Sequence, residues 1–199
     1  SAWLRQSRSF SGNEPPVTLF LSRARSRALR AASRASAARS PLVQMVFATC
    51  GQGGKGDLLI GVDPLQVGDD GVAPIKFQRE RTLPYVPCIV GYGDHLYLWN
   101  DNGVLMCVDP KTDTTVWQER IGGNFSGSPI CVGGKLYCID EEGKVIVVDA
   151  SPTFRQYPGG ELGDPSHSTP SVANGRLYLR SFHRLTCLAA PGSSAETSR

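Results

Sequence analysis

The chain has 199 residues, of which 40% are hydrophobic and 20% charged, a length that allows one or two domains. Its net charge of +3 hides a division: residues 1–43 carry eight Arg against Glu14 alone, and the remainder carries thirteen basic and seventeen acidic residues. No apolar stretch suits a transmembrane helix, and residues 17–21 are too short for the apolar core of a secretory signal.

In chain order, residues 1–43 form a basic Arg/Ser/Ala-rich arm in which Arg23, Arg27, Arg30 and Arg34 share one helical face. Beyond Leu19, Phe20, Leu21 and Leu29 it has little apolar surface to bury. The expectation is a disordered or short helical arm outside the fold. A helix for nucleic acid or an anionic membrane, a transit peptide and a phosphate-binding tail are the less favoured alternatives.

From residue 44 the pattern changes to alternation and turns. Met45-Val46-Phe47-Ala48 and Leu58-Leu59-Ile60-Gly61-Val62-Asp63, around a Gly-rich insert at 51–57, form a degenerate unit. A fuller unit follows, with runs at 88–90, 95–99, 104–108 and 115–119 and a tight turn at Asn100-Asp101-Asn102-Gly103. The next has runs at 129–132, 136–139, 145–148 and 154–157 and closes on Pro158-Gly159-Gly160. A last set surrounds Leu177-Tyr178-Leu179 and Leu185-Thr186-Cys187-Leu188, and residues 191–199 are expected to be a disordered tail.

These units repeat. Gly93-Asp94-His95-Leu96-Tyr97-Leu98 returns as Gly133-Gly134-Lys135-Leu136-Tyr137-Cys138 and as Asn174-Gly175-Arg176-Leu177-Tyr178-Leu179, at steps of 40 and 41. Gly103 and Asp109 return 40 residues later as Gly143 and Asp149. Four β-branched or aromatic runs between Gly, Asp and Asn clusters predict an antiparallel four-stranded meander, and a tandem repeat of about 40 residues predicts β-propeller blades. The fold class expected is all-β, a partial propeller of three to four blades over residues 44–190.

The stretch Asp109-Pro110-Lys111-Thr112-Asp113-Thr114-Thr115-Val116-Trp117 resembles the Asp-x-x-Thr-Gly-Lys-x-x-Trp turn of the quinoprotein (PQQ-like) propeller repeat. Asp109, Thr112 and Trp117 stand in place, whereas Asp113 and Thr114 replace the Gly-Lys of that family. Residues 85–188 look like the C-terminal blades of bacterial PQQ-like repeat proteins. The resemblance implies a Trp packed between blades, and with it Tyr97, Tyr137, Tyr178 and Asp149 are expected to be structural repeat positions. A closed propeller of about eight such blades needs more chain, so the expectation is a C-terminal part of a larger propeller, or an open arc whose edges need covering. An extracytoplasmic (periplasmic or cell-envelope) location follows from the resemblance alone.

In such a meander the turns after the second strand share a face with the connections between blades. This places Asn100, Asp101, Asn102, Asn124, Phe125, Asp140, Glu141, Glu142, His167, His183 and Arg184 on one rim, where a rigid scaffold presents binding loops. Asn100, Asp101, Asn102, Asn124, Phe125, His167 and His183 are the binding-face candidates. Ser166-His167-Ser168 with Asp164 is too local for a catalytic triad, and Asp140-Glu141-Glu142 lacks the alternating ligands of a calcium loop. Six cysteines without a Cys-x-x-Cys pair point to buried free thiols, with Cys107 and Cys187 at nearly one blade position.

No catalytic, cofactor or metal residue is assigned. The function expected is a non-enzymatic PQQ-like propeller scaffold that recognises a protein or other ligand through one loop face, with a protein partner or missing blades as its partners. The alternative is a fragment of a PQQ-dependent dehydrogenase with PQQ and calcium, which the resemblance implies for active members. The chain has no adjacent cysteines, and no calcium set or catalytic Asp of that family maps onto it.

Overall fold

The computed structural model describes residues 45–50 and 57–189; the expectations for the arm at 1–43 and the tail at 191–199 lie outside the described residues. Four antiparallel sheets follow one another along the chain. The first, blade 1, holds β1 (Val46–Cys50), β2 (Leu58–Val62) and β3 (Ile75–Arg79). Blade 2 holds β4 (Val90–Tyr92), β5 (His95–Trp99), β6 (Val104–Asp109) and β7 (Thr114–Arg120). Blade 3 holds β8 (Ile130–Val132), β9 (Lys135–Ile139), β10 (Lys144–Asp149) and β11 (Gln156–Glu161), and blade 4 holds β12 (Ser171–Ala173), β13 (Arg176–Arg180) and β14 (Leu185–Ala189). Within each blade every strand pairs with its sequence neighbour, so the chain is a partial all-β propeller built of meanders.

Register fixes which residues are equivalent. Tyr97 pairs with Val90 and Cys107, Tyr137 with Ile130 and Val147, and Tyr178 with Ser171 and Cys187. In blade 1, Asp63-Pro64 stands at the end of β2 as Asp109-Pro110 stands at the end of β6. The described strands of blade 1 are therefore its second, third and fourth, whereas those of blade 4 are its first, second and third. Only blades 2 and 3 show all four.

Because side chains alternate across a strand, each blade offers one face to the blade before it and the other to the blade after. Leu96, Leu98, Met106 and Val108 of blade 2 pack with Leu59 and Phe77 of blade 1. The opposite face, Tyr97, Trp99, Leu105 and Cys107, packs with Phe125, Leu136, Cys138, Ile146 and Val148 on the blade 3 side. Ile139 and Val145 of blade 3 meet Leu179 of blade 4. Full burial of such side chains is worth roughly 1.5–3 kcal/mol each, so the core is three inter-blade seams.

Trp117 reaches across the blade boundary: its Nε1 donates to the Ser151 carbonyl of blade 3 at 2.9 Å, and its ring meets Phe154 at 5.2 Å and Tyr97 at 6.1 Å. Asp109 accepts the Lys111 N–H at 2.8 Å, and Asp63 accepts that of Leu65 at 2.9 Å, so each closes its turn. The Thr112 hydroxyl lies 2.9 Å from that of Thr114. Asp149 bonds Lys135 Nζ at 3.0 Å and the Tyr157 hydroxyl at 2.9 Å. That network raises the Lys135 pKa, Tyr157 and Asp149 being the cause, and lowers that of Asp149 through Lys135.

Three details depart from the sequence reading. The fourth strand of blade 3 is Gln156–Glu161 and runs straight through Pro158-Gly159-Gly160, where a closing turn was expected. A register shift between Val145 and Val147 accommodates it, and only glycine fits at 159, because a Cβ would meet the Val145 carbonyl. Phe154 lies in the preceding turn, against Trp117. The fourth strand of blade 1, Ile75–Arg79, was not among the expected runs. Finally, Cys107 and Cys187 do occupy one register position, yet Cys107 is buried and Cys187 exposed, because no described blade follows blade 4. For the same reason Tyr97 is 1% exposed while Tyr178 is only half-buried.

Candidate functional site

The turns between second and third strands share one rim with the connections between blades, and hydrogen bonds show how it is built. Phe125 N–H donates to the Asp101 carbonyl, Glu141 N–H to that of Asn124, Ser166 N–H to that of Glu141 and Phe182 N–H to that of Pro165, at 2.8–3.2 Å. Each turn is thereby stapled to a connection. Carboxylates reinforce the arrangement. Asp101 accepts the Tyr85 and Val86 N–H groups at 2.8 and 2.9 Å, Glu141 pairs with the Ser126 hydroxyl, and Asp164 accepts the His183 N–H at 2.8 Å with the ring Nδ1 at 3.0 Å. Hydrogen bonds from Ser181 and His183 hold the Asp164 carboxyl well below the usual carboxylate range.

The seven candidates fall into distinct environments. Asn102, Asn124 and His167 are exposed on this rim, with the His167 ring edge-on to Phe182 at 5.1 Å. His183 is exposed and tied to Asp164. Asp101 is half-buried and holds the segment that enters blade 2. Phe125 is 1% exposed and packs edge-on against Trp99 at 5.3 Å, inside the seam between blades 2 and 3. Asn100 is 8% exposed, and its Oδ1 is buried with no hydrogen-bond partner, as is Nε1 of the neighbouring Trp99. A buried unpaired polar atom costs about 1–3 kcal/mol, so both atoms stand out among the described residues.

Asn100, Asp101 and Asn102 line a cavity of about 320 Å³ together with Asp57, Leu83 and Tyr85. Tyr85 stands 58% exposed, its backbone pinned by Asp101. A second cavity of about 360 Å³ lies between blades 3 and 4, lined mostly by apolar residues such as Tyr137, Val147, Leu177 and Leu188. Among the described residues no three His, Cys, Asp or Glu side chains converge to hold a metal ion. Trp99 and Trp117 are both committed to blade seams. Ser166 does not face His167: its hydroxyl donates to the Arg180 carbonyl at 2.6 Å, and Asp164 serves His183 instead.

Sequence reasoning missed a row of links beneath the rim. The Cys88 N–H donates to the Ser128 hydroxyl, and the Ser128 N–H donates to the Thr169 hydroxyl, both at 2.9 Å. These residues sit at one repeat position, 40 and 41 apart, so their hydroxyls were a signal available in the aligned repeats. Tyr85 and Leu83 carried no such signal, since the residues 40 further on, Phe125 and Gly123, are of different kinds.

Comparison with known proteins bears on the fold. A family model described as outer membrane protein assembly factor BamB matches residues 86–157 and, overlapping, 101–195. Among solved structures, BamB from Moraxella catarrhalis superposes with a TM-score of 0.53 at 15% identity, covering 72% of this chain and 39% of that one. The chain thus spans about two fifths of the length of that protein. The computationally designed Ika4 protein superposes at 0.55 with 9% identity, covering 73% and 85%. Quinohemoprotein alcohol dehydrogenase from Comamonas testosteroni reaches 0.49 at 10% identity over 68% and 27%, too low a superposition to carry an argument. A search of curated proteins found no match.

Proposed function

The chain belongs to the PQQ-like β-propeller repeat family, and from that premise we propose that it is a non-enzymatic scaffold that recognises a protein partner through the rim of second-to-third-strand turns. One observation supports this reading above others. On that rim, Asp101, Glu141 and Asp164 tie turns to connections, while Asn102, Asn124 and His167 stand exposed on the frame so fixed. Such a division suits recognition, because binding groups on a rigid frame lose little entropy on docking. An extracytoplasmic setting accompanies the proposal, in keeping with the outer-membrane assembly factor that names the matching family model. Further blades are the second class of partner, given how much of the M. catarrhalis BamB length lies beyond the chain.

Calorimetric titration with PQQ and Ca²⁺ tests the reading. No saturable binding is expected. Saturable binding accompanied by reduction of an artificial electron acceptor by an alcohol or aldose would overturn the scaffold in favour of a dehydrogenase fragment.

A further inference from the structure

We infer that the rim turn of blade 4, with Phe182 as its anchor, is the docking site for an acidic segment of another protein that carries an apolar side chain among its carboxylates. The inference rests on the scaffold reading and names the part of the rim that is used and the chemistry of the partner. Comparison of the repeats carries it. The positions of Val86 and Asp101 return as Ser126 and Glu141 and then as His167 and Phe182, at steps of 40 and 41. Asp101 accepts the Val86 N–H at 2.9 Å, and Glu141 pairs with the Ser126 hydroxyl. At the third place this polar staple is gone. His167 and Phe182 meet ring to ring at 5.1 Å, and both are exposed, Phe182 at 54%.

The backbone holds the turn without the ring, because Phe182 N–H donates to the Pro165 carbonyl as Glu141 N–H does to that of Asn124. Ser181 N–H closes on the Arg184 carbonyl, whereas Asn100 and Asp140 close on Val104 and Lys144. The blade 4 turn is therefore one residue shorter and omits the glycine of the other two. Charge enters where the earlier blades are apolar: Arg180 stands at the register position of Trp99 and Ile139, opposite Leu185, which is 68% exposed. Arg180 and Arg184 are exposed and form no ion pair among the described residues. Residues 171–189 contain no Asp or Glu, and the carboxylate that reaches this turn, Asp164, is taken by His183. Aromatic and arginine side chains are enriched in protein interfaces, and the unpaired positive charges select a negative partner. The blade 3 turn, Asp140-Glu141-Glu142, is acidic and repels the same segment, which confines it to blade 4.

Titration of the full chain with polyglutamate carrying a central Phe-Phe pair tests the assignment. Its controls are the same peptide with Ser-Ser at the centre and one with lysine in place of glutamate. Saturable binding of the first peptide alone is expected, weakening with salt as charge pairing requires. Phe182→Ser and Arg184→Gln should each lower its affinity about tenfold or more. Phe182→Glu, which copies the arrangement of Glu141 with Ser126, should abolish binding. The melting temperature should stay unchanged in all three, since the side chains are exposed and the bond to Pro165 remains. A fall in melting temperature with affinity retained, absence of saturable binding, or equal binding of either control overturns the assignment. So does an affinity that drops when Arg23, Arg27, Arg30 and Arg34 are replaced by glutamine but not in the Phe182 variants, because the arm would then be the receptor. PQQ-dependent activity would remove the scaffold reading, whereas failure of peptide binding alone removes only the acidic partner.

Discussion

Arg79 of blade 1 and Asp113 of blade 2 form an ion pair at 2.8 Å across the blade boundary, while the Asp113 backbone holds φ +54°. The PQQ-like repeat has glycine at this turn position, where a left-handed residue costs least. Asp is among the few other residues that tolerate the conformation. Its carboxylate explains its presence, because Arg79 is 6% exposed and finds its counter-charge there. The same guanidinium donates to the Thr115 hydroxyl at 3.0 Å.

Replacing Asp113 should therefore give an ordered pair of outcomes. Asp113→Ala loses the ion pair and keeps the strained backbone, and is expected to destabilise by about 2–3 kcal/mol, the range for orphaning a largely buried charge that keeps other partners. Asp113→Gly loses the same pair but relieves the backbone, and should be milder by about 1 kcal/mol. Urea unfolding of the two variants checks the order; an alanine variant as stable as the glycine variant would refute the account of strain.

Gly143 invites a sharper substitution. It holds φ +89°, and a Cβ there would be driven into the carbonyl oxygen of Asp164. Gly133, at φ +56°, has open space around it. Gly133→Ala should cost about 1 kcal/mol, the conformational term alone. Gly143→Ala adds displacement of the rim connection and should exceed about 3 kcal/mol. Denaturant midpoints decide, and similar values for the two would show that the connection yields freely.

Acid should loosen the rim through Asp164. Its pKa is lowered in the fold by Ser181 and His183, so its contribution is fully present above the unfolded value of about 4 and is lost as pH falls toward the depressed folded value. Asp164→Asn removes that dependence. The variant should melt below the parent at neutral pH, and the gap should close as pH falls from about 5 to 2. Asp149 is also lowered, by Lys135, and loses its contribution in the same direction; comparing variant with parent cancels that background. A gap that stays constant over this range would exclude the Asp164 linkage.

Thiol reactivity should separate the cysteines by exposure. Burial pushes the Cys107 thiol up to about 11 and that of Cys138 up to about 12, and raises that of Cys131. Cys88 and Cys187 are exposed. In a Cys50→Ser background, an aromatic disulfide reagent near neutral pH should titrate Cys88 and Cys187 promptly and the other three only on denaturation. Prompt reaction of Cys107 would mean that the seam between blades 2 and 3 opens readily.

What the sequence disclosed and what it hid follow one physical line. Strands recur because each must fill the same seam, so Leu96, Leu136 and the Tyr97 series announced both the repeat and its register. The inter-blade place of Trp117 was implied by the resemblance of its turn to the PQQ-like repeat. Features that depend on a neighbour in space were silent. Arg79 reads as an ordinary basic residue until Asp113 is placed beside it, and Phe125 reads as an exposed loop aromatic until Trp99 shows where its ring goes. The exposure of Cys187 follows from there being no described blade after blade 4, which no local pattern encodes. At the rim the alignment of turns was legible, whereas the unpartnered oxygen of Asn100 needed the packed interior to be seen.

The row through Cys88, Ser128 and Thr169 has a direction. Each backbone N–H reaches forward to the side chain of the next blade, so a unit receives its neighbour with a hydroxyl and extends to the following one with a main-chain group that every residue but proline possesses. A copied Ser128-type unit inserted between blades 3 and 4 brings its own acceptor and asks nothing new of either flank. Inserted ahead of blade 2 it would meet the thiol of Cys88, a poorer acceptor. Gene duplication therefore lengthens this fold more easily toward its C-terminal side, one hydroxyl at a time.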